Sequence, residues 1–345
     1  MPPSPTLRDF AREFWQRLSG GTDYRGMAYH PRIETAKFKN FLTTRTRNSE
    51  LWFVNNKPLE ESILGSAARC AERYSVKLFA LAIEGNHIQG VADFPGLNRS
   101  SFMRDFNSSV TRAVVRHVPE YPGGTMWGRR YSNEFLPTDN SILRQFLYTV
   151  LQPVQDGLIE KLSDSPFYNC LHDAAWGIRR KFKVVRWAEY NSALRWNTAV
   201  MIKDFTDTVE LKYERIPGFE HLSRDEYARM IFDLVEERRK EIVAERRAQG
   251  LGFAGRAYLL SIVPGSKPVS TKTSTRKDFR PRFLSGSKKV NDECTVWYFD
   301  MYFTFKNASK RYRAGELDVE FPPGMYRPYL PSALAPPRTV EYNAT

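Results

Sequence analysis

The chain has 345 residues, enough for one large or two ordinary domains, and its 41% hydrophobic content supports a real core. Its 52 Lys and Arg outnumber 39 Asp and Glu, and the resulting charge of +13 suits a polyanionic partner. No apolar run reaches the length of a membrane span. The scattered Cys70, Cys170 and Cys294 make no Cys-x-x-Cys pair or disulfide framework, which suits a reducing cytoplasm, and Met1-Pro2-Pro3-Ser4-Pro5 leads into no signal-peptide core.

Residues 1–36 form an N-terminal extension, in which Leu7, Phe10, Phe14, Trp15 and Leu18 fit one short amphipathic helix ended by Gly20-Gly21. A strand follows at 38–47, with Phe41 and Leu42 apolar and Thr43, Thr44 and Thr46 adding strand propensity. A helix is expected at 58–73, a strand at 76–83, a tight connection at Glu84-Gly85 and a third strand at 87–94. A second helix covers 99–117, a fourth strand 127–135, and a further helix starts at Asn140, with Pro153 as a break or kink just after 151. The order β-α-β-β-α-β predicts an α+β fold: a ferredoxin-like antiparallel sheet with helices on one face and the other face open to nucleic acid.

Beyond residue 176 the chain reads as a basic, mainly helical C-terminal extension, 177–345. Arg179, Arg180, Lys181, Lys183, Arg186 and Arg195 alternate with Trp176, Phe182, Trp187, Tyr190 and Trp196. Bases stack on such aromatics while cations track the backbone; a core segment whose long side chains snorkel fits equally well. Ser223-Arg224-Asp225-Glu226 is a capping box opening a long helix over 223–249. Gly250-Leu251-Gly252-Phe253-Ala254-Gly255 matches Gly-x-Gly-x-x-Gly but follows a charged helix rather than a strand, so it is no dinucleotide fingerprint. Residues 264–289 read as a mobile basic loop, 294–305 as an ordered aromatic stretch, and the Pro-rich tail from Pro322 as extended chain.

The chemistry gathers at two places. In Asn86-His87-Ile88-Gln89, a strand projects His87 and Gln89 to the same side, where a nitrogen and an amide oxygen can share a divalent cation. In Leu147-Tyr148-Thr149-Val150-Leu151-Gln152-Pro153, Tyr148 and Gln152 share one helical face a turn apart, a phenol beside a third ligand. Each has a plainer explanation: a buried hydrogen-bonded histidine, a tyrosine capping the core, a solvated glutamine.

The chain resembles the single-tyrosine transposases of the HUH class, especially the REP-associated tyrosine transposases. Four phrases carry the likeness in order over residues 37–176: Asn86-His87-Ile88-Gln89, Phe102-Met103-Arg104-Asp105-Phe106-Asn107, Trp127 with Tyr131, and Tyr148-Thr149-Val150-Leu151-Gln152-Pro153-Val154-Gln155-Asp156-Gly157-Leu158. A weaker likeness continues at Pro217-Gly218-Phe219 and Arg313-Ala314-Gly315-Glu316-Leu317. The departure is Gln89, where the family's motif has a second histidine; Gln is an oxygen ligand that hard cations accept.

The resemblance implies an HUH catalytic domain over 37–176 that cleaves and rejoins single-stranded DNA at hairpin-type ends through a 5′-phosphotyrosine. Tyr148 would be the nucleophile, and His87, Gln89 and Gln152 would hold Mg²⁺ or Mn²⁺. Arg99, Arg104, Asn107, Arg112, Arg129, Arg130, Arg179, Arg180 and Lys181 are the candidate DNA contacts, the cations holding phosphates without reading bases. The partner is single-stranded or hairpin DNA, with no membrane association, for a monomer or a homodimer. The alternative is a domesticated, catalytically weak hairpin- or repeat-binding protein whose metal site decayed to Gln89. An RNA-recognition module lacks its aromatic RNP phrase here.

Overall fold

The computed structural model describes residues 31–269 and 282–330. The expected N-terminal helix, the middle of the basic loop and the end of the tail lie outside these. The chain divides into two compact units, described separately: residues 35–269 with 282–286, and residues 31–34 with 287–330.

The larger unit begins with β1 (Lys39–Arg45), α1 (Lys57–Arg73), β2 (Lys77–Glu84), β3 (His87–Asp93), α2 (Arg99–His117), β4 (Ser132–Leu136) and α3 (Asp139–Gln155). Local chemistry sets these bounds. Asn56 caps α1 by accepting from the Leu59 amide at 2.9 Å, with Pro58 in the first turn, where no backbone donor is needed. Thr138 and Ser141 close a capping box on α3. That helix runs through Pro153 instead of stopping before it, and ends at Gly157, whose φ of +74° suits glycine. The fourth strand is shorter than expected, which leaves Arg129 and Arg130 in the loop before it.

The strands form one antiparallel sheet in the order β2-β3-β1-β4, the split connectivity expected from the element order. Turning from β2 to β3, Gly85 sits so close to the Leu51 side chain that a Cβ there would lie 2.8 Å from it. The two faces of the sheet are covered differently. Leu42, Ile88 and Ala92 meet Phe102, Met103 and Phe106 of α2, with Ala67 of α1 in the same layer. The other face, expected to be open, carries α3 across β2 and β3. An apolar stripe on α3 — Ile142, Phe146, Val150, Leu151, Val154 — has to be buried, and the sheet is what buries it.

Residues past 176 wrap this core. After α4 (Leu171–Trp176) come β5 (Arg180–Val185), α5 (Trp187–Trp196), β6 (Thr206–Leu211), α6 (Arg224–Ala248) and α7 (Arg256–Ser261). β5 and β6 pair antiparallel and pack on α1, where Val184 and Phe182 close over Gly65. The expected capping box of Ser223 and Glu226 opens α6, which lies against α3 and α4.

In the smaller unit, α8 (Lys288–Arg313) extends over the stretch read as aromatic. Ala308, Tyr312, Val319 and Leu330 make its small core, against which Phe321 packs. Among the described residues no helix is long and apolar enough to cross a membrane.

Candidate active site

The site lies between α3 and the sheet. Tyr148 meets Phe41 edge-on, with ring centroids 5.7 Å apart, and Phe41 stands opposite Val91 in the β1–β3 pairing. Further along, Asp156 lies near enough to Glu84 and His87 to influence both. Four helical residues rise about 6 Å and two strand residues about 7 Å. On α3, Gln152 lies between Tyr148 and Asp156, and on β3, Gln89 lies between Val91 and His87, with the helix packed on β2 and β3. Tyr148, at 38% relative exposure, stays open to solvent, while His87, Gln89 and Gln152 are buried.

His87 is held by a relay that fixes its tautomer. The Asn86 amide donates to the Ser49 carbonyl at 3.0 Å, which turns its Oδ1 toward His87 Nδ1, 2.9 Å away. Oδ1 can only accept, so Nδ1 carries the hydrogen and Nε2 keeps its lone pair. Burial, followed by the charge of Arg45, pushes the imidazole pKa down to about 3 against a smaller opposing pull from Asp156, so the ring is neutral. A neutral imidazole with a free Nε2 is the ligand form.

Other polar atoms here have no hydrogen-bond partner among the described residues. Gln152 donates through Nε2 to Asp156 Oδ2 at 2.8 Å, but its Oε1 has no partner. Gln89 Nε2 has none either, and rotating that amide would exchange its oxygen into the same place. Glu84, directly opposite His87 across the β2–β3 pair, is buried with Oε2 unpartnered; burial and then Asp156 push its carboxyl up to about 8. Buried polar groups normally find partners, so several orphans in one interface make it a candidate binding place. Amide oxygens beside an imidazole fit a hard divalent cation. Among the described residues no three His, Cys, Asp or Glu gather to hold a metal, so such an ion needs the amides.

The expected DNA contacts divide by position. Arg129 and Arg130 are exposed in a loop tied to the end of β1, where the Gly128 amide donates to the Arg45 carbonyl at 3.1 Å. Arg45 stands opposite His87, so this end of the sheet has a basic rim of Arg45, Arg47, Arg129 and Arg130. Arg104 and Arg112 lie on the outer side of α2, behind the sheet from Tyr148. Arg104 pairs with Asp105 at 2.8 Å, and Arg112 donates to Ser108 Oγ at 2.9 Å. Asn107 receives the Trp127 indole on its backbone carbonyl at 3.3 Å. Arg99 does not fit the expectation of a surface phosphate contact. It is 1% exposed, donates to Asn40 Oδ1 at 2.8 Å and lies over the Phe135 ring. Arg179 pairs with Glu210, Arg180 pairs with the buried Asp173, and Lys181 is exposed on β5.

Sequence reasoning missed Glu84, Asp156, Arg45 and Arg47. A signal existed for two of them. Asp156 continues the i, i+4 series of Tyr148 and Gln152, and a two-residue turn at Gly85-Asn86 sets Glu84 opposite His87.

No protein-family model and no curated protein sequence matches the chain. Among solved structures, a REP-associated tyrosine transposase bound to a REP hairpin overlaps 42% of this chain and 84% of its own, at 18% identity and a TM-score of 0.36. The tRNA(His) guanylyltransferase of Saccharomyces cerevisiae overlaps 41% of this chain and 68% of its own, at 8% identity and a TM-score of 0.28. At such low overlap neither bears on the chemistry of this site.

Proposed function

We propose that this protein cleaves and rejoins single-stranded DNA, with Tyr148 as nucleophile and His87, Gln89 and Gln152 as ligands of a divalent cation. The observation that carries the reading is the pairing of a partly exposed tyrosine with a buried amide one turn away whose Oε1 has no partner among the described residues, on a helix packed against the strand bearing a neutral imidazole. That combination is costly to fold and is what metal-assisted attack on a phosphodiester requires. The sequence phrases shared with single-tyrosine transposases point the same way and add hairpin-type ends as the substrate.

In this reaction Tyr148 Oη attacks phosphorus. The Oη–P bond forms, the P–O3′ bond breaks, the phenol gives up its proton and the departing O3′ takes one. The products are a 5′-phosphotyrosine and a free 3′-hydroxyl, and the retained phosphodiester energy lets a second strand be joined without ATP. A bound Mg²⁺ or Mn²⁺ supplies Lewis-acid polarisation of the scissile phosphate. A free phenol ionises only near pH 10, so Tyr148 depends on that field and on nearby cations. Arg45, Arg47, Arg129 and Arg130 hold flanking phosphates and position the strand without reading its sequence.

The test is a denaturing gel with labelled single-stranded hairpin DNA from the flanking repeats, in Mn²⁺, Mg²⁺ or chelator. The expected result is a metal-dependent protein–DNA band that disappears in Tyr148→Phe. Tight hairpin binding that ignores the chelator, with no covalent band, would contradict it and favour a binding protein.

A further inference from the structure

The ligand set just proposed has a charge problem. One neutral imidazole and two amides offer a dication no anion, and stripping water from a dication inside a protein without a compensating charge is expensive. The fold places a carboxylate at the same spot. Glu84 ends β2 and stands opposite His87 in the β2–β3 register. Cross-strand partners in an antiparallel pair project to one face with Cβ atoms about 5 Å apart. Glu84 is 4% exposed, and its Oε2 has no hydrogen-bond partner among the described residues. A carboxylate walled in this way destabilises the fold unless a cation is set against it.

We propose that Glu84 is an anionic ligand of the divalent cation, supplying beside His87 the charge that Gln89 and Gln152 cannot. This rests on the metal site of the preceding section and goes beyond it by adding a residue. Glu84 and His87 on two adjacent strands, with Gln152 on α3, would hold the ion, which would then help fix the helix carrying Tyr148 to the sheet. An oxygen-rich set with one carboxylate suits Mg²⁺ or Mn²⁺ over zinc.

The experiment measures Mn²⁺ binding to the full chain without DNA, by calorimetry and by the EPR signal of free Mn²⁺, alongside melting in Mn²⁺ and in chelator. Glu84→Gln keeps the shape and removes the charge. Its Mn²⁺ affinity is expected to fall by more than the 10–100-fold that loss of an outer-shell partner typically costs. Its melting temperature in chelator should equal or exceed that of the parent, and its gain on adding Mn²⁺ should shrink. Tyr148→Phe should bind Mn²⁺ as the parent does. Should Glu84→Gln fail to fold, Glu84→Asp, which withdraws the carboxylate by one methylene, is expected to fold and bind Mn²⁺ more weakly. Unchanged Mn²⁺ affinity in a folded Glu84 variant would overturn the role of Glu84 and leave the metal site standing. A parent protein that binds no Mn²⁺ would overturn the site and this ligand together.

Discussion

The two faces of one sheet differ in how much polar chemistry they bury. Toward α1 and α2, Leu42, Ile88 and Ala92 meet Phe102, Met103 and Phe106, the buried Arg99 donates to Asn40, and the buried Thr44 hydroxyl has no partner among the described residues. Toward α3, the same strands bury Glu84, His87 and Gln89, and Glu84 Oε2, Gln89 Nε2 and Gln152 Oε1 lack partners among the described residues. The first face is mainly apolar and stabilises the fold; on the second, the apolar stripe of α3 stabilises it while these polar groups cost stability. A fold keeps a face of that kind where the residues serve something other than stability.

The contrast can be broken or sharpened by substitution. The largest effect is expected on the apolar face: Phe106→Ala should cost about 3–5 kcal/mol in denaturant unfolding, yet leave covalent adduct formation intact in the fraction that stays folded. If adduct formation were lost as well, the two faces would not be separable. Next comes the relay behind His87. Asn86→Ala removes the acceptor that fixes the tautomer, and Mn²⁺ affinity by calorimetry should drop about 10–100-fold. Smaller and opposite in sign is Gln89→Leu, which removes an unpartnered buried amide. It should stabilise the metal-free protein by about 1 kcal/mol while weakening metal binding, a pairing that a purely structural glutamine would not give. The smallest effects concern the surface cations. Arg45→Ala or Arg129→Ala should each reduce the slope of log affinity for DNA against log salt by about 1, whereas Arg104→Ala and Arg112→Ala, behind the sheet, should leave it unchanged.

Much of the architecture was legible because local signals agreed. The helix expected at 99–117 forms over Arg99–His117, and Ser223 and Glu226 close their capping box. The βαββαβ order came from apolar runs whose period changes between strand and helix. What the order could not show was the far side of the sheet. Covering it depends on where α3 crosses and on α6 lying against α3, a contact between residues far apart in sequence. Strand register was equally hidden. Glu84 read as part of a tight connection, and its place opposite His87 appears only with the pairing. Arg99 misled for a related reason: a cation on a helix reads as surface, and the buried Asn40 that receives it lies 59 residues away. In the cation–aromatic stretch after Trp176, Phe182 and Val184 point inward to α1 while Lys181 and Lys183 face out, so the alternation was that of a half-buried strand.

The central claim is that Tyr148 becomes bonded to DNA above this polar face. The most direct measurement is mass spectrometry of the protein after reaction with hairpin DNA and Mn²⁺, followed by nuclease and protease digestion. The account predicts a nucleotide-phosphate mass on the peptide containing Tyr148, absent when metal is chelated. The same mass on another residue, or on Tyr148 regardless of metal, would contradict it.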